Sequence, residues 1–597
     1  MKPFEQLARA LSQAHQARLK AALRKCASLR AANQALLGLT GIRTFFETEA
    51  QWRQFAVALA GERVSTVQET AREYGDFQTP ISLARTVCRK LYQLGCRPTV
   101  LVEPTCGRGN FVVAALETFP SIRSVYALDI QERYVAECKA TLLASLLDAP
   151  ARNVEIQVVA GNIFDHVFPP GLARDPKQQV LLLGNPPWVT NATLSQLDSA
   201  NLPRKSNFKK HGGLDAMTGK SNFDIAEFIL LHLIRSFAES NATLAMLCKN
   251  TVVRNLVQAT RAQALPIKNM QAFPFAADRE FGVACDASLF VADIAKRGAA
   301  RTCAVANLEH SDAPQRTFGW VENQFVADVA RYANTCDLDG ASPLTWRQGL
   351  KHDCARVMEL DATGAEYRNG LGQIVPVEPD CVYPLIKSSD LKTPVVTDCR
   401  KAVIVTQHAI GEDTRRLRQS HPRLWRYLQQ HADAFEARRS SIYKGKPPFA
   451  MFGMGDYSFK PYKIAASGLY KTARFALVPP IGNKPVMLDD TCYLLGFDAL
   501  EPALVTLALL NSQRVRDFLQ AIVFLDSKRP YTKDILMRID LGKVADGVSV
   551  SDINAWLRSV QAPRFDLGDE DLDFLRPERT RPRQESLALE KRAHYAA

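Results

Sequence analysis

Between about residue 74 and residue 295, short apolar runs alternate with segments of helix-like periodicity. Five of the apolar runs end in polar or glycine-containing loops. This alternation predicts an α/β domain with a doubly wound parallel sheet and helices on both faces. Ligands of such domains bind beyond the carboxyl ends of the strands, so the loops after these runs are candidate sites. The five runs lie in TVLVEPTCGRGNF, SVYALDI, VEIQVVAGNIF, QVLLLGNPPW and ATLAMLCKN.

The pattern changes on either side of this region. Residues 3–40 have apolar positions at three- and four-residue spacing, which predicts one or two amphipathic helices. Residues 340–545 contain short strand-like pieces, many aromatic residues and several Pro/Gly breaks, which predicts a separate mixed α+β domain. We therefore expect five segments: a helical region (1–70), the doubly wound domain (71–300), a linker (301–340), the mixed domain (341–545) and a charged tail (546–597).

Composition narrows the class of protein and its partners. Lys and Arg number 75 against 62 Asp and Glu, which gives a net charge of +13 and favours a polyanionic partner. The 13 cysteines are scattered, without a CxxC pair or a Cys/His cluster at zinc spacing, so we expect no metal site and a reducing compartment. The N-terminal residues do not have the pattern of a secretory signal, and no apolar run has membrane-spanning length. We therefore expect a cytoplasmic protein without a membrane partner.

The first apolar run ends at Glu103 and is followed by two glycines, Gly107 and Gly109. Glycines at this spacing allow the backbone to approach a ligand closely, where a side chain would clash. About 20 residues later the second run ends in Asp129, and an acidic residue at that place commonly binds the two hydroxyls of a ribose. Together these features predict a nucleoside-containing cofactor.

The fourth apolar run ends in Asn185-Pro186-Pro187-Trp188. Proline has no backbone N–H and pushes the preceding residue toward extended geometry, so this sequence predicts a stiff loop that leaves the sheet. The loop would hold an amide side chain, free carbonyl groups and an indole in a fixed arrangement. Such an arrangement predicts a clamp for a planar, hydrogen-bonding ligand.

The order of these motifs resembles that of γ-class DNA N6-adenine methyltransferases. In that order YGDFQTP (residues 74–80) precedes the glycine turn, NPPW follows the fourth strand, and a target-recognition domain comes last. The resemblance covers residues 70–300 and, more loosely, 340–545. It implies a Rossmann-like catalytic domain that uses S-adenosylmethionine, and a mixed α+β target-recognition domain. It also implies site-specific methylation of double-stranded DNA in a prokaryotic restriction–modification or phage-defence system, to which partner subunits, a nuclease or a specificity subunit, could belong.

The resemblance assigns catalysis to the NPPW loop. The side-chain oxygen of Asn185 and the carbonyl of Pro186 would accept the two hydrogens of the adenine N6 amine and direct its lone pair toward the methyl group. Pro187 belongs to the same stiff loop. Trp188 would stack on an adenine flipped out of the duplex.

A second stacking surface is expected from DREFGVACDASLFV, whose spacing resembles a later aromatic motif of the family. Phe281 is the candidate and Phe290 the alternative. For both residues a second interpretation stays open, in which they are core phenylalanines of a hairpin.

The resemblance also assigns the cofactor site. Asn162 stands where the family usually has an aspartate that binds the adenine amine of the cofactor. Its side-chain oxygen can accept the same bond, and Asp165 is close in the sequence. Arg108 stands within the glycine turn, where a small residue is common. The implied contacts are Thr79 and Pro80 at the methionine moiety, Glu103, Gly107 and Gly109 at the turn, Asp129 at the ribose, and Ile130 and Asn162 at the adenine.

Two basic segments are candidates for DNA contact. One follows the catalytic loop, and the other, YKGKPPFAMFGMGDYSFKPYKIAASGLYKTARF, interleaves basic and aromatic residues in the expected target-recognition domain. Such residues can contact phosphates and bases, although a solvated basic surface has the same composition. The candidate phosphate contacts are Lys205, Lys209 and Lys210 in the first segment and Lys444, Lys446 and Lys460 in the second.

Other functions stay open at the level of sequence. The same chemistry on RNA or on a protein glutamine is one, because NPP-aromatic motifs also serve those acceptors. A DNA-binding subunit with a decayed cofactor site is another, supported only by Asn162 and Arg108. N4-cytosine methylation is a third, although that activity more often has Ser at the position of Asn185. We expect no nuclease, because the first 70 residues lack a D…ExK pattern.

Overall fold

The computed structural model divides the chain into two compact units, Met1–Phe325 (unit 1) and Val326–Ala597 (unit 2). The residues that it describes are 11–60, 77–148, 153–173, 175, 177–189, 224–294, 300–310, 313–363 and 366–575. Among these residues no helix combines the length and the apolar character needed to cross a membrane.

Unit 1 is built on a ten-stranded sheet with helices between most of its strands. The strands are β1 (Val100–Glu103), β2 (Ser124–Asp129), β3 (Glu155–Ala160), β4 (Gln179–Gly184), β5 (Asn241–Lys249), β6 (Ile267–Phe275), β7 (Ala287–Ile294), β8 (Thr302–Val305), β9 (Arg316–Val321) and β10 (Gln324–Val326). The helices are α1 (Gln13–Leu23), α2 (Leu29–Thr40), α3 (Glu49–Ala60), α4 (Ile81–Gln93), α5 (Asn110–Thr118), α6 (Glu132–Asp148), α7 (Pro170–Ala173), α8 (Ile225–Ser236), α9 (Asn250–Gln263) and α10 (Ala277–Phe281).

The five apolar runs of the sequence form β1 to β5, which are parallel and lie in the order β3-β2-β1-β4-β5. The strand order reverses between β1 and β4, and this is the place where sheets of this kind bind ligands. β7 lies antiparallel between β5 and β6, and β8, β9 and β10 follow on the far side of β6. The predicted doubly wound, Rossmann-like α/β fold is therefore confirmed.

The central strands explain why their sequences are continuously apolar. Every residue of β1 is buried, and so is every residue of β4 after Gln179. Both faces of these strands are covered, so no alternation with polar residues is needed. Because parallel strands end at the same edge of a sheet, Glu103, Asp129 and Gly184 end their strands on one side of unit 1.

The N-terminal helices belong to unit 1. Leu19, Leu36 and Phe45 are fully buried in the same hydrophobic core as Leu101 of β1. After α2 the chain also pairs with β3, since the backbone N–H of Arg43 donates to the carbonyl of Ile156 at 2.8 Å. Residues 11–60, the described part of the expected helical region 1–70, therefore share a core with the sheet.

Residues 301–340, which the sequence analysis treats as a linker, contain regular structure. β8 and β9 pair with each other, and β8 also pairs with β6 in the parallel direction. These strands widen the sheet beyond the apolar runs that the sequence displays. The division between the two units falls within β10, after Phe325.

Unit 2 has the mixed α+β composition that the sequence predicts. The strands are β11 (Arg347–Gln348), β12 (Glu359–Thr363), β13 (Glu366–Asn369), β14 (Val382–Ile386), β15 (Lys401–Ile404), β16 (Tyr462–Ser467), β17 (Phe475–Val478), β18 (Met487–Leu488) and β19 (Cys492–Phe497). They form a four-stranded sheet, β11-β19-β16-β17, and a five-stranded sheet, β13-β12-β15-β14-β18. The helices are α11 (Val329–Ala333), α12 (Ala355–Met358), α13 (Leu417–Ser420), α14 (Pro422–Gln430), α15 (Ala432–Glu436), α16 (Asp456–Phe459), α17 (Leu500–Leu510), α18 (Gln513–Ile522), α19 (Lys533–Leu536), α20 (Leu541–Asp546) and α21 (Val550–Ser559).

Part of the expected charged tail is folded. Within 546–597, α21 buries Leu557, and a 3₁₀ helix at Asp569–Leu575 buries Leu572. Residues 576–597 lie outside the described residues.

Candidate active site

A pocket of about 1040 Å³, counted with its open mouth, lies at the carboxyl ends of β1 to β4. It is lined by the loops that follow these four strands and by residues 77–79. The predicted site residues that line it are Thr79, Glu103, Gly107, Asp129, Ile130, Asn162, Asn185, Pro186 and Pro187. The motifs chosen from the sequence therefore come together around one pocket.

The glycine turn after β1 requires both of its glycines. Gly107 has φ of +48° and Gly109 has φ of +78°, a region that favours glycine. A Cβ atom on Gly107 would lie 2.5 Å from Oε1 of Gln78, and one on Gly109 would lie 2.7 Å from Sγ of Cys138. The turn is therefore a close-packed piece of backbone, of which Gly107 faces the pocket.

The Asp129 carboxylate ties this turn to the end of β2. One of its oxygens accepts the backbone N–H of Gly107 and the other accepts the N–H of Gln131, both at 2.9 Å. The side chain is buried and also lines the pocket. A carboxylate oxygen can accept more than one hydrogen bond, so this group can hold the turn and still receive ligand hydroxyls.

An apolar wall lies beside the Asp129 carboxylate. Ile130 is 41% exposed, which is unusual for a large aliphatic side chain, and it lines the pocket together with Ile163 and Phe164. Such surfaces fit the faces of a purine. Ile130 was predicted from the sequence, whereas Ile163 and Phe164 were not, and the only signal for these two residues is their place shortly after β3.

Asn162 lies at the same end of the pocket. Its Oδ1 accepts the backbone N–H of Phe164 at 3.0 Å, so the side chain shapes the turn after β3 as well as facing the pocket. Asp165, the neighbouring acidic residue, is exposed and does not line the pocket.

Glu103 contributes a buried acceptor. It is 2% exposed, and its Oε2 has no hydrogen-bond partner among the described residues. Burial raises the pKa of this carboxyl well above its usual value. A ligand that brings an N–H or O–H donor to this end of the pocket would satisfy it.

Asn185 presents a second buried acceptor. Its Nδ2 donates to the carbonyl of Phe77 and to Oγ1 of Thr79, both at 3.2 Å. A backbone carbonyl can only accept, so these bonds fix the direction of the amide. Oδ1 is consequently turned away from them, and it is buried without a partner among the described residues.

Residues 77–79 connect the catalytic loop to the glycine turn. Besides the two bonds from Asn185, the Thr79 carbonyl accepts Nδ2 of Asn110 at 2.8 Å. Oε1 of Gln78 accepts the backbone N–H of Arg108 at 3.0 Å. Phe77, Gln78 and Asn110 were not predicted as site residues, although Phe77 and Gln78 belong to the motif YGDFQTP.

The predicted stacking residues lie in an aromatic cluster of Phe77, Trp188, Phe275 and Phe281. The rings of Trp188 and Phe281 meet edge to face with centroids 5.2 Å apart, and Phe77 contacts both. Trp188 is only 5% exposed, and its Nε1 donates to the carbonyl of Leu247 at 3.3 Å. Trp188 and Phe281 do not line the pocket, whereas Phe77 lines it and belongs to the cluster.

Phe290 differs from the other predicted aromatics. It lies in β7 and is fully buried, so its ring packs in the core. Pro80 precedes α4 and Gly109 precedes α5, and neither lines the pocket.

The predicted DNA-contacting lysines have three different outcomes. Lys205, Lys209 and Lys210 lie outside the described residues. Lys444 and Lys446 are exposed, and neither forms an ion pair within the part of the chain that the structure describes. Lys460 forms an ion pair with Asp498.

The fold and the pocket define a Rossmann-like domain with a site for a nucleoside-containing ligand. Gly107, Asp129 and Ile130 suit an adenine nucleoside, and the unpartnered oxygens of Glu103 and Asn185 suit a ligand with hydrogen-bond donors. In the comparison with curated proteins, a Type II methyltransferase, M.NspV of Nostoc sp. (strain ATCC 29411 / PCC 7524), is 38% identical over 484 residues. The match spans 81% of this chain and 99% of the relative. The chain therefore belongs to the Type II methyltransferase family, and its methyl donor is S-adenosylmethionine.

No protein-family model matches the sequence. The Type IIL restriction–modification enzyme MmeI, solved in complex with DNA, aligns with a TM-score of 0.49 and 13% identity over 83% of this chain and 71% of that one. The type IIG restriction endonuclease BpuSI aligns with a TM-score of 0.32 and 14% identity over 92% of this chain and 68% of that one.

Proposed function

We propose that this chain is a γ-class-like DNA methyltransferase that transfers the methyl group of S-adenosylmethionine to N6 of adenine at a specific sequence in double-stranded DNA. The chain would supply the modification activity of a restriction–modification or related phage-defence system. The observation that carries the proposal is the state of Oδ1 of Asn185, which is a buried acceptor without a partner among the described residues. Asn185 is the first residue of the NPPW loop and lines the pocket.

The geometry of the loop suits an amine acceptor. S-adenosylmethionine supplies an electrophilic methyl group when bound. Oδ1 of Asn185 accepts one hydrogen of the adenine N6 amine, and the carbonyl of Pro186 accepts the other. These bonds draw the amine lone pair out of conjugation with the ring and aim it at the methyl group. The loop thus acts by positioning and electrostatics, without a covalent intermediate on the protein.

The adenine has to leave the duplex to reach this loop, at a cost of a few kcal/mol. Stacking on an aromatic side chain returns about 1–3 kcal/mol per base. Trp188 and Phe281 are our candidates for this contact, since both touch Phe77, which lines the pocket. In the structure these two rings pack against each other, so stacking on the base requires one ring face to become exposed.

Sequence recognition is assigned to unit 2. The net charge of +13 suits a polyanion, and the exposed Lys444 and Lys446 are placed in a loop rich in basic and aromatic residues. Lys460 would have to exchange its ion pair with Asp498 for a phosphate, which is a small cost for a pair near the surface.

Thr79 is expected to act as a positioning residue for Asn185. Thr79→Val removes the hydroxyl that accepts one Nδ2 hydrogen of Asn185 and leaves only the Phe77 carbonyl to orient the amide. We expect kcat to fall about 3- to 10-fold, the range of one hydrogen bond. Thr79→Ser keeps the hydroxyl and should retain most of the activity. Equal losses in the two variants, measured as tritiated methyl transfer at saturating cofactor, would argue against this role.

The proposed function is tested by long-read modification sequencing of a methylation-deficient host that expresses this chain alone. We expect one sequence motif to carry N6-methyladenine at near-complete occupancy. N4-methylcytosine at a sequence motif would support the same catalytic site but would identify cytosine, and not adenine, as the acceptor base. Unmodified DNA, followed by methyl transfer from the purified chain to RNA or to protein, would overturn DNA as the acceptor. Modification only in the presence of neighbouring genes would show that partner subunits are required.

A further inference from the structure

The downstream end of the NPPW loop is held by β5, the strand next to β4. Lys249 is the last residue of β5, and its Nζ donates to the backbone carbonyl of Trp188 at 2.8 Å. The indole of Trp188 is held by the same strand, through its bond to the carbonyl of Leu247. Both the main chain and the side chain of Trp188 are therefore fixed to β5.

The Lys249 ammonium also forms an ion pair with Asp224, at 2.7 Å to Oδ2. The other oxygen of Asp224 accepts the backbone N–H of Ala226 and caps α8, and the N–H of Ile225 donates to the carbonyl of Val189 at 2.9 Å. The side chains of Lys249 and Asp224 are 23% and 11% exposed, so the pair is largely shielded from water. Shielding from water strengthens the electrostatic attraction between Lys249 and Asp224, and loss of either partner would leave the other charge unpaired in a poorly solvated place, which is destabilising.

These contacts restrict both ends of the loop segment that contains the Pro186 carbonyl. This carbonyl lies between Asn185, fixed by its bonds to residues 77–79, and Trp188, fixed by β5. The φ angles of the intervening Pro186 and Pro187 are restricted by their rings, so the backbone between Asn185 and Trp188 has few torsion angles that can change. A loop held at both ends in this way is preorganised for the geometry that accepting two amine hydrogens requires.

We propose that Lys249 is a positioning residue for methyl transfer, which holds the carbonyl of Trp188 and thereby directs the carbonyl of Pro186 toward the target amine. This inference rests on the proposed function. Lys249 does not line the pocket, and it acts through the loop and not on the cofactor. Its removal therefore affects the rate of transfer and leaves cofactor binding in place.

The test compares Lys249→Met, Lys249→Arg and a matched control, Lys139→Met. Lys139 is a lysine of unit 1 that is more deeply buried than Lys249, and its Nζ likewise donates to a backbone carbonyl, that of Thr44, and to a carboxylate, that of Glu47. It lies in α6, away from the NPPW loop. The measurements are kcat and the KM for S-adenosylmethionine on unmethylated genomic DNA, and the Kd for S-adenosylhomocysteine by calorimetry.

We expect Lys249→Met to lower kcat about 10- to 100-fold, the effect of a displacement near 1 Å at a reacting group. The KM for S-adenosylmethionine and the Kd for S-adenosylhomocysteine should stay within about two-fold of the wild type, while Lys249→Arg recovers activity and Lys139→Met retains it. A wild-type kcat in Lys249→Met, a parallel loss of S-adenosylhomocysteine affinity, or an equal fall of kcat in Lys139→Met would overturn the inference. If the wild-type chain transfers methyl groups to RNA or to protein and not to DNA, the proposed function fails, whereas active wild-type enzyme with any of the three results above contradicts the role of Lys249 alone, so the two failures are distinguishable.

Discussion

Asn185→Ala is expected to lower the rate of methyl transfer by at least about 10²- to 10³-fold, the effect of deleting one preorganised polar contact to a reacting group. The substitution removes Oδ1, the buried acceptor that has no partner among the described residues, together with the two bonds that orient it. The measurement is single-turnover transfer of a tritiated methyl group to unmethylated DNA. Binding of DNA and of S-adenosylhomocysteine should change little, because other residues supply those contacts.

Asn162→Ala provides the reciprocal control for this experiment. Asn162 lines the cofactor end of the pocket and bonds the turn after β3. Its removal should weaken S-adenosylhomocysteine binding more than it slows transfer at saturating cofactor. If Asn185→Ala instead loses cofactor binding, DNA binding and transfer in equal measure, the NPPW loop is structural and the catalytic assignment is wrong.

Asp129→Ala should have the largest effect on cofactor affinity. The carboxylate accepts the N–H groups of Gly107 and Gln131, so its loss leaves two backbone donors unpaired beside the pocket and removes the expected ribose acceptor. Hydrogen bonds to a charged group contribute about 1.5–3 kcal/mol each, which corresponds to a Kd for S-adenosylhomocysteine raised about 10- to 100-fold per bond lost. Calorimetric titration of the purified variant measures this change.

Asp165→Ala is the matched control for Asp129→Ala. Asp165 carries the same charge and follows the neighbouring strand, but it is exposed and does not line the pocket. Its removal should leave the affinity for S-adenosylhomocysteine unchanged. A comparable loss in both variants would mean that the negative potential near the pocket, and not the Asp129 contacts, governs binding.

The fold and the centre of the site were accessible from the sequence because their signals are local. The runs that form β1 to β5 are short and apolar, and each of the first four ends in, or is followed within a few residues by, a polar group that lines the pocket. Gly107, Asp129 and Asn185 were selected in this way, and all three line the pocket. Type II methyltransferase membership agrees with the motifs, whereas the γ-class assignment and adenine N6 as the acceptor stay predictions.

Features that depend on distant pairing were not accessible. β8 and β9 are short and belong to the sheet through pairing with β6, so residues 301–340 resembled a linker. The choice between a pocket wall and the core also depends on packing. Phe164 and Phe77 face the pocket while Phe290 is buried in β7, and no local pattern separates the three.

The contacts of Lys249 illustrate the same limit at the site. In the sequence it is one basic residue at the end of an apolar run, far from NPPW. Only the parallel pairing of β4 with β5 brings the two strand ends together and places its ammonium on the carbonyl of Trp188.

Residues 41–43, which follow α2 and pair with β3, limit how far this protein can be shortened from its N-terminal side. β3 is the last strand of the sheet, and among the residues that the structure describes its outer side pairs only with the short stretch around Ile42, where the carbonyl of Gly41 accepts the N–H of Ile156. A Cβ on Gly41 would lie 2.1 Å from the carbonyl oxygen of Val154, so this approach depends on glycine. A truncated enzyme that begins after residue 43 would present β3 as a free edge, open to pairing with other molecules. Shortened versions made for crystallisation or for grafting new specificities onto the catalytic unit therefore need their N-terminal helices to stay monodisperse.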